Sequence, residues 1–256
     1  MNLGFQFKQF FVRHDRCAMK VGTDGVLLGC WNGYDAAAAG SPTIPHRYHY
    51  ARCLDIGTGS GLIALMLAQR FPDALIDAID IDKAAVEQAA ENFAASPWSD
   101  RLHAFHAHLQ EWQSHSAYSL IVSNPPYFQN SLKNPDKGRQ TARHTDTLSF
   151  SELIHHSTRL LSENGILALI LPTEAESEVC ELAQAEGLSL TRITRVYSKE
   201  SKPARRVLLA FGKSKSRNTD ISTSRNTAPV EDTLVLEDEI GGRSAAYREL
   251  TKDFYL

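Results

Sequence analysis

The sequence predicts an α/β fold on a mostly parallel sheet, and three observations carry that expectation. From Arg52 onward, short apolar runs alternate with stretches of helical period, the pattern of βαβ units. Each helical stretch has one apolar face: Leu62, Leu65, Met66 and Ala68 in 61–71, and Val86, Ala89, Ala90 and Phe93 in 83–95. At 256 residues with 43% apolar content, the chain can also bury a full core.

In chain order, residues 1–50 form an N-terminal extension. It has an aromatic, basic start (Phe5, Phe7, Phe10, Phe11), a helix entered at Thr23 and Asp24 on good N-capping chemistry, and a surface loop at 36–50. The core follows over 51–212, with seven strands expected near 52–56, 74–79, 102–105, 119–122, 165–171, 189–196 and 206–211 and helices between most of them. Residues 213–230 are rich in Ser, Thr, Asn, Lys and Arg and read as a flexible polar insertion. The C-terminal extension, 231–256, is an acidic stretch to Glu239 and a short amphipathic end packed on the core.

Composition sets bounds on partners. A formal net charge of -3 leaves any polyanion to local patches. Cys17, Cys30, Cys53 and Cys180 form no C-x-x-C pair and read as reduced core thiols. The start lacks an apolar segment with a small-residue cleavage site, and no apolar run approaches the roughly 18 to 20 residues of a membrane span. A cytoplasmic protein without a membrane partner is expected.

After the first core strand comes Asp55-Ile56-Gly57-Thr58-Gly59-Ser60-Gly61, with glycines where a ligand approaches backbone at a strand-to-helix turn. A tight turn, or a dinucleotide loop, would also use glycine. The spacing is G-x-G-x-G rather than G-x-G-x-x-G, and Asp55 precedes it. An acid there suits a cation and repels a pyrophosphate. S-adenosylmethionine, with its ammonium and sulfonium groups, fits, and Thr58 belongs to the same loop. Asp80 ends the next strand, where a carboxylate accepts ribose hydroxyls, with Ile81 beside it. Asp82 reads as the N-cap of the following helix. His108 and Leu109, past the third strand, are placed for the adenine contact. His103, His106 and His108 do not converge as metal ligands, and no metal is expected.

The run Tyr118–Ser123 is apolar and stops at Asn124-Pro125-Pro126-Tyr127. Proline fixes φ and removes backbone donors, which leaves an acceptor-rich turn. An aromatic amine is a poor nucleophile because its lone pair is delocalised into the ring. Acceptors on its N–H bonds counter this, so the Asn124 side-chain oxygen and the Pro125 carbonyl each take one N–H while Tyr127 stacks on the ring. A Pro-rich turn alone would be unremarkable; following the fourth strand after a G-x-G-x-G loop, the combination is specific.

Together, Asp55–Gly61 and Asn124–Tyr127 resemble the class I amino-methyltransferases. Phe5–Phe10, Met19–Gly29, Arg206–Phe211, Ala246–Tyr247 and Phe254–Leu256 are similar to the bacterial tRNA (adenine-N6) methyltransferases that modify a valine tRNA beside its anticodon. The resemblance implies a Rossmann-like class I fold, with a seven-stranded sheet that has one antiparallel strand and helices on both faces. It implies N6-methylation of the adenine immediately 3′ of the anticodon, and Lys20, Thr23 and Asp24 lying over the cofactor pocket. An acid is usual in such enzymes where this chain has His108.

Charge supports an RNA partner more loosely. From Arg192 to Arg217 there are nine Lys or Arg against one acid, among them Lys199, Lys202, Arg205 and Arg206. Lys133, Lys137, Arg139 and Arg143 follow the Asn-Pro-Pro motif in a loop. An anticodon-loop base is already outside a duplex, which eases its entry into a pocket. The expected partner is tRNA, bound by a monomer. Release-factor glutamine, or adenine in DNA or ribosomal RNA, would suit the same acceptor pair, and a non-catalytic RNA-binding protein on this fold is a further alternative.

Overall fold

The structure, a computed structural model, describes residues 3–33, 50–126, 148–214 and 228–256. It opens with strands β1 (Gly4–Gln6) and β2 (Phe11–Arg13), too short for a periodic signal, paired as an antiparallel hairpin. Phe7 and Phe10 at its turn are buried and stacked at 4.7 Å. Phe7 also stacks on Tyr255 at 5.7 Å, and the Lys8 amide donates to the Phe254 carbonyl, 2.8 Å.

Helix α1 (Thr23–Trp31) begins where the Thr-Asp pair suggests, but neither residue caps it. Extended Gly22 takes the N-cap position without a side-chain bond, and Asp24 instead pairs with Arg206, 2.8 Å. The next helix is α2 (Leu62–Arg70), and Gly29 lets α1 approach it closely, since a Cβ there would lie 2.6 Å from Met66 Sδ.

The core alternates strand and helix through β3 (Arg52–Ile56), α2, β4 (Leu75–Asp80), α3 (Lys83–Ala94), β5 (Leu102–His106), β6 (Tyr118–Ser123), α4 (Phe150–Leu160) and β7 (Leu161–Pro172). It continues with α5 (Glu176–Ala185), β8 (Leu188–Tyr197), β9 (Ala204–Lys213), β10 (Val230–Val235) and α6 (Ala245–Thr251). Asp82 caps α3 as predicted, its side chain accepting from the Ala84 amide. Ser149 and Glu152 form a capping box at the start of α4.

All seven predicted runs are strands, but among the described residues the sheet has eight, in the order β10-β8-β9-β7-β6-β3-β4-β5. Strand β9 is antiparallel to both neighbours and every other pairing is parallel. The eighth strand lies in the stretch read as merely acidic. Asp232 meets Arg192 at 2.9 Å and Glu231 meets Arg195 at 3.4 Å, so the charges that obscure β10 in sequence join it to β8. These pairs also use part of the basic cluster assigned to RNA.

Two apolar layers cover the sheet. Val26, Leu62, Met66, Phe93 and Leu250 bring α1, α2, α3 and α6 to one face, and Leu153, Ile154, Val179 and Ala183 bring α4 and α5 to the other. Burying each such Leu, Ile, Val or Phe contributes about 1.5–3 kcal/mol. Most of the loop expected at 36–50 and of the insertion expected at 213–230 lies outside the described residues. Among the described residues no helix is long and apolar enough to cross a membrane.

Candidate active site

Strand order reverses between β3 and β6: β4 and β5 continue to one side, β7 to the other. In an open α/β sheet, the carboxyl ends of the strands at such a point leave a crevice. Here it is a cavity of about 430 Å³, reached by Gly57 and Gly59 after β3, Asp80 and Ile81 after β4, His108 and Leu109 after β5, and Asn124, Pro125 and Pro126 after β6.

The glycine loop divides into a ligand side and a packing side. Gly57 (φ 70°) and Gly59 (φ 56°) need the left-handed backbone, and a Cβ on either would stand in open space. Gly61 (φ 80°) faces the protein, where a Cβ would lie 2.5 Å from Phe93 Cε1. The Gly57 and Thr58 amides donate to the Ile79 carbonyl (2.9 and 3.1 Å), and the Gly59 amide donates to Asp80 Oδ2 (2.8 Å). These donors are engaged with β4 and do not form a phosphate cradle.

Asp55 is fully buried beneath the loop and does not line the cavity. Its Oδ2 accepts from Thr58 Oγ1 (2.7 Å) and from the Ala64 amide (3.2 Å), which fixes the loop against α2. Oδ1 is buried with no hydrogen-bond partner among the described residues. Burial pushes the carboxyl up to about 7, against the opposing effect of the Thr58 and Ala64 hydrogen bonds. Thr58 and Gly61 likewise shape the site from behind.

The lining is acidic. Asp80, Asp82 and Glu152 face the cavity, and no Lys or Arg among the described residues does. Asp80 is oriented through both oxygens, since Oδ1 accepts from the Asp82 amide at 2.9 Å. Ile81 is 45% exposed and presents an apolar edge with Leu109. A cation with an apolar ring and a hydroxylated sugar suits this set of acceptors and apolar edges; a dinucleotide pyrophosphate does not.

Asn124 is half-buried and Pro125 buried. They are held at the mouth because Ser123 Oγ donates to the Ile56 carbonyl (2.9 Å), joining the ends of β6 and β3. Tyr127, Lys133, Lys137, Arg139 and Arg143 lie outside the described residues.

The extension covers the cavity through Cys17, Ala18 and Met19, just before the residues expected there. Lys20 and Thr23 are exposed and Asp24 is engaged with Arg206; none of the three lines the cavity. Cys17 is thus not a core thiol, although burial still pushes it up to about 11. Sequence reasoning also missed Glu152 and Gln110, which face the cavity and bond to each other at 3.2 Å. The Ser149-x-x-Glu152 spacing signals a helix start, but nothing in it signals a cavity wall.

Residues 41–187 match the Methyltransferase small domain. A tRNA1(Val) (adenine(37)-N6)-methyltransferase of Flavobacterium johnsoniae is 44% identical over 254 residues, 98% of this chain and 99% of its own. The chain belongs to the tRNA1(Val) (adenine(37)-N6)-methyltransferase family.

Solved structures agree on the fold of this tRNA1(Val) (adenine(37)-N6)-methyltransferase family member. A predicted O-methyltransferase of Agrobacterium tumefaciens superposes with a TM-score of 0.60 at 17% identity, covering 90% of this chain and 96% of its own. A putative class I S-adenosylmethionine-dependent methyltransferase of Listeria monocytogenes gives 0.58 at 14% identity, covering 84% of this chain and 67% of its own.

The remaining predicted basic residues fall at the β8–β9 turn. Arg206 in β9 pairs with Pro172 at the carboxyl end of β7, which runs parallel to β6, so this turn lies along the same sheet edge as the cavity. Lys199, Lys202 and Arg205 have no ion-pair partner among the described residues, whereas Arg206 is tied to Asp24.

Proposed function

We propose that the chain transfers the methyl group of S-adenosylmethionine to N6 of adenine 37 in a valine tRNA, the activity for which its relatives are named. The observation that carries this reading is Asn124-Pro125-Pro126 at the mouth of an acid-lined cavity floored by Gly57 and Gly59. The residues fit the cofactor: open space over both glycines, an oriented carboxylate at Asp80 and an apolar slot between Ile81 and Leu109. When bound, S-adenosylmethionine supplies a methyl group on positively charged sulfur.

In this reading Asp80 accepts the ribose hydroxyls with the lone pairs that the Gly59 and Asp82 amides leave available. His108 presents a ring nitrogen to the adenine edge. Asn124 Oδ1 and the Pro125 carbonyl accept the two N–H bonds of the target amine and turn its lone pair toward the methyl group, with Tyr127 stacked on the base. Lys199, Lys202 and Arg205 meet the tRNA backbone along the same edge. The test is radiolabelled methyl transfer to tRNA from cells lacking the enzyme, followed by nucleoside analysis. N6-methyladenosine in a valine tRNA is the expected product; label in a release factor or in DNA, with none in tRNA, would retain the amine and discard the polymer.

A further inference from the structure

Three polar side chains of α3, Gln88, Glu91 and Asn92, stand at i, i+3 and i+4 and so share one helix face. All three turn to residues 13–16. Asn92, 2% exposed, accepts from the Arg13 amide (3.0 Å) and donates to the Arg13 carbonyl and the Ser60 carbonyl (2.8 Å each). One side chain therefore joins the N-terminal hairpin to the glycine loop. Gln88, fully buried, accepts from the Arg16 amide (3.2 Å), and Glu91 pairs with the Arg16 guanidinium. Gln88 Nε2 has no hydrogen-bond partner among the described residues. A buried donor left so is a standing penalty that an apolar side chain of this size would not carry, so what Gln88 contributes is its acceptor.

On the far side, the Val21 amide donates to Nδ1 of buried His14 (3.1 Å), closing 14–21 into a loop. Cys17, Ala18 and Met19 hang between these two anchorages, and they are the part of the extension that walls the cavity. We propose that Gln88, Glu91 and Asn92 are positioning residues that hold this wall over the bound cofactor and slow its release. The proposal rests on the cavity being the S-adenosylmethionine site. The stripe touches neither cofactor nor target amine and acts through Arg13, Arg16 and, by Asn92, the Ser60 carbonyl of the glycine loop.

Release of a covered ligand passes through the displaced wall, so its rate scales with how often the wall is displaced. Each lost hydrogen bond or ion pair changes that by a factor of about 3 to 10. The experiment is displacement of S-adenosylhomocysteine in a stopped-flow instrument, with KM and kcat for methyl transfer measured beside it. Gln88→Leu combined with Arg16→Ala is expected to speed release about tenfold. KM for S-adenosylmethionine rises with it, while kcat and KM for tRNA stay within about twofold, because wall contacts are the same before and during transfer. Arg16→Ala alone alters an exposed side chain and is expected to give about a threefold change in a normally folded protein; Ala90→Ser, off the stripe, is expected to change nothing. Release at the wild-type rate in both Arg16 variants, or a fall in kcat with KM intact, overturns the proposal. A wild-type protein that bound no S-adenosylhomocysteine would instead overturn the reading of the cavity, and this proposal with it.

Discussion

Asp55 is a carboxyl group removed from water, one oxygen bonded to Thr58 and Ala64 and the other without a partner among the described residues. Its folded pKa, about 7, lies above the ordinary 3.8, so the stability it contributes is complete below the lower value and is lost as pH rises through the upper one. Urea unfolding at about pH 5 and about pH 8 should show the wild type losing on the order of a few kcal/mol more than Asp55→Asn across that interval. Asn124→Ala tests the other end of the site. It should lower kcat at least ~100-fold, a loss of the size seen when one preorganised transition-state contact is removed, while S-adenosylhomocysteine affinity measured by titration changes little. The grouping of Gly57, Gly59, Asp80 and Asn124 around one cavity was legible because each ends or closely follows one of three mutually parallel strands, β3, β4 and β6. The seat of Asp55 beneath the loop and of Cys17 above the cavity was not, since both depend on what packs over them from elsewhere in the chain.

At the scale of elements, the glycine loop and α3 are fitted together through Gly61 and Phe93. Gly61→Ala adds both a disfavoured φ and a clash, and chemical denaturation should register a loss of about 1–3 kcal/mol. The central strands β6, β7 and β9 carry continuous apolar runs because the sheet is covered on both faces there, which makes them plain in sequence. Strand β10 is at an edge, with Leu234 its only buried apolar side chain, so period and composition do not mark it. What holds it is polar: Asp232 accepts from Thr194 and pairs with Arg192, whose guanidinium lies 4.6 Å from the centre of the Trp31 ring. The hairpin β1–β2 escaped for a simpler reason, as strands of three residues have no period to read.

At the scale of the molecule, a net charge of -3 coexists with a basic segment whose count of nine overstates what is available to a polyanion. Arg192, Arg195, Arg206 and Lys213 are each in an ion pair within the chain, which among the described residues leaves Lys199, Lys202 and Arg205 at the rim; Lys215 and Arg217 lie outside them. Lys199→Glu with Lys202→Glu should raise KM for tRNA about tenfold at low salt, an effect that shrinks as salt is added, without altering S-adenosylhomocysteine affinity. The hairpin that leads into the cofactor wall is itself braced from the opposite end of the chain: the Lys8 amide and ammonium donate to the Phe254 and Lys252 carbonyls, and Phe7 stacks on Tyr255. Synthesis runs from N- to C-terminus, so β1 and β2 wait for a residue 244 positions beyond Lys8 before this support exists. The wall formed by Cys17, Ala18 and Met19 is thus reached through a hairpin whose own brace is completed only by residues 252–255.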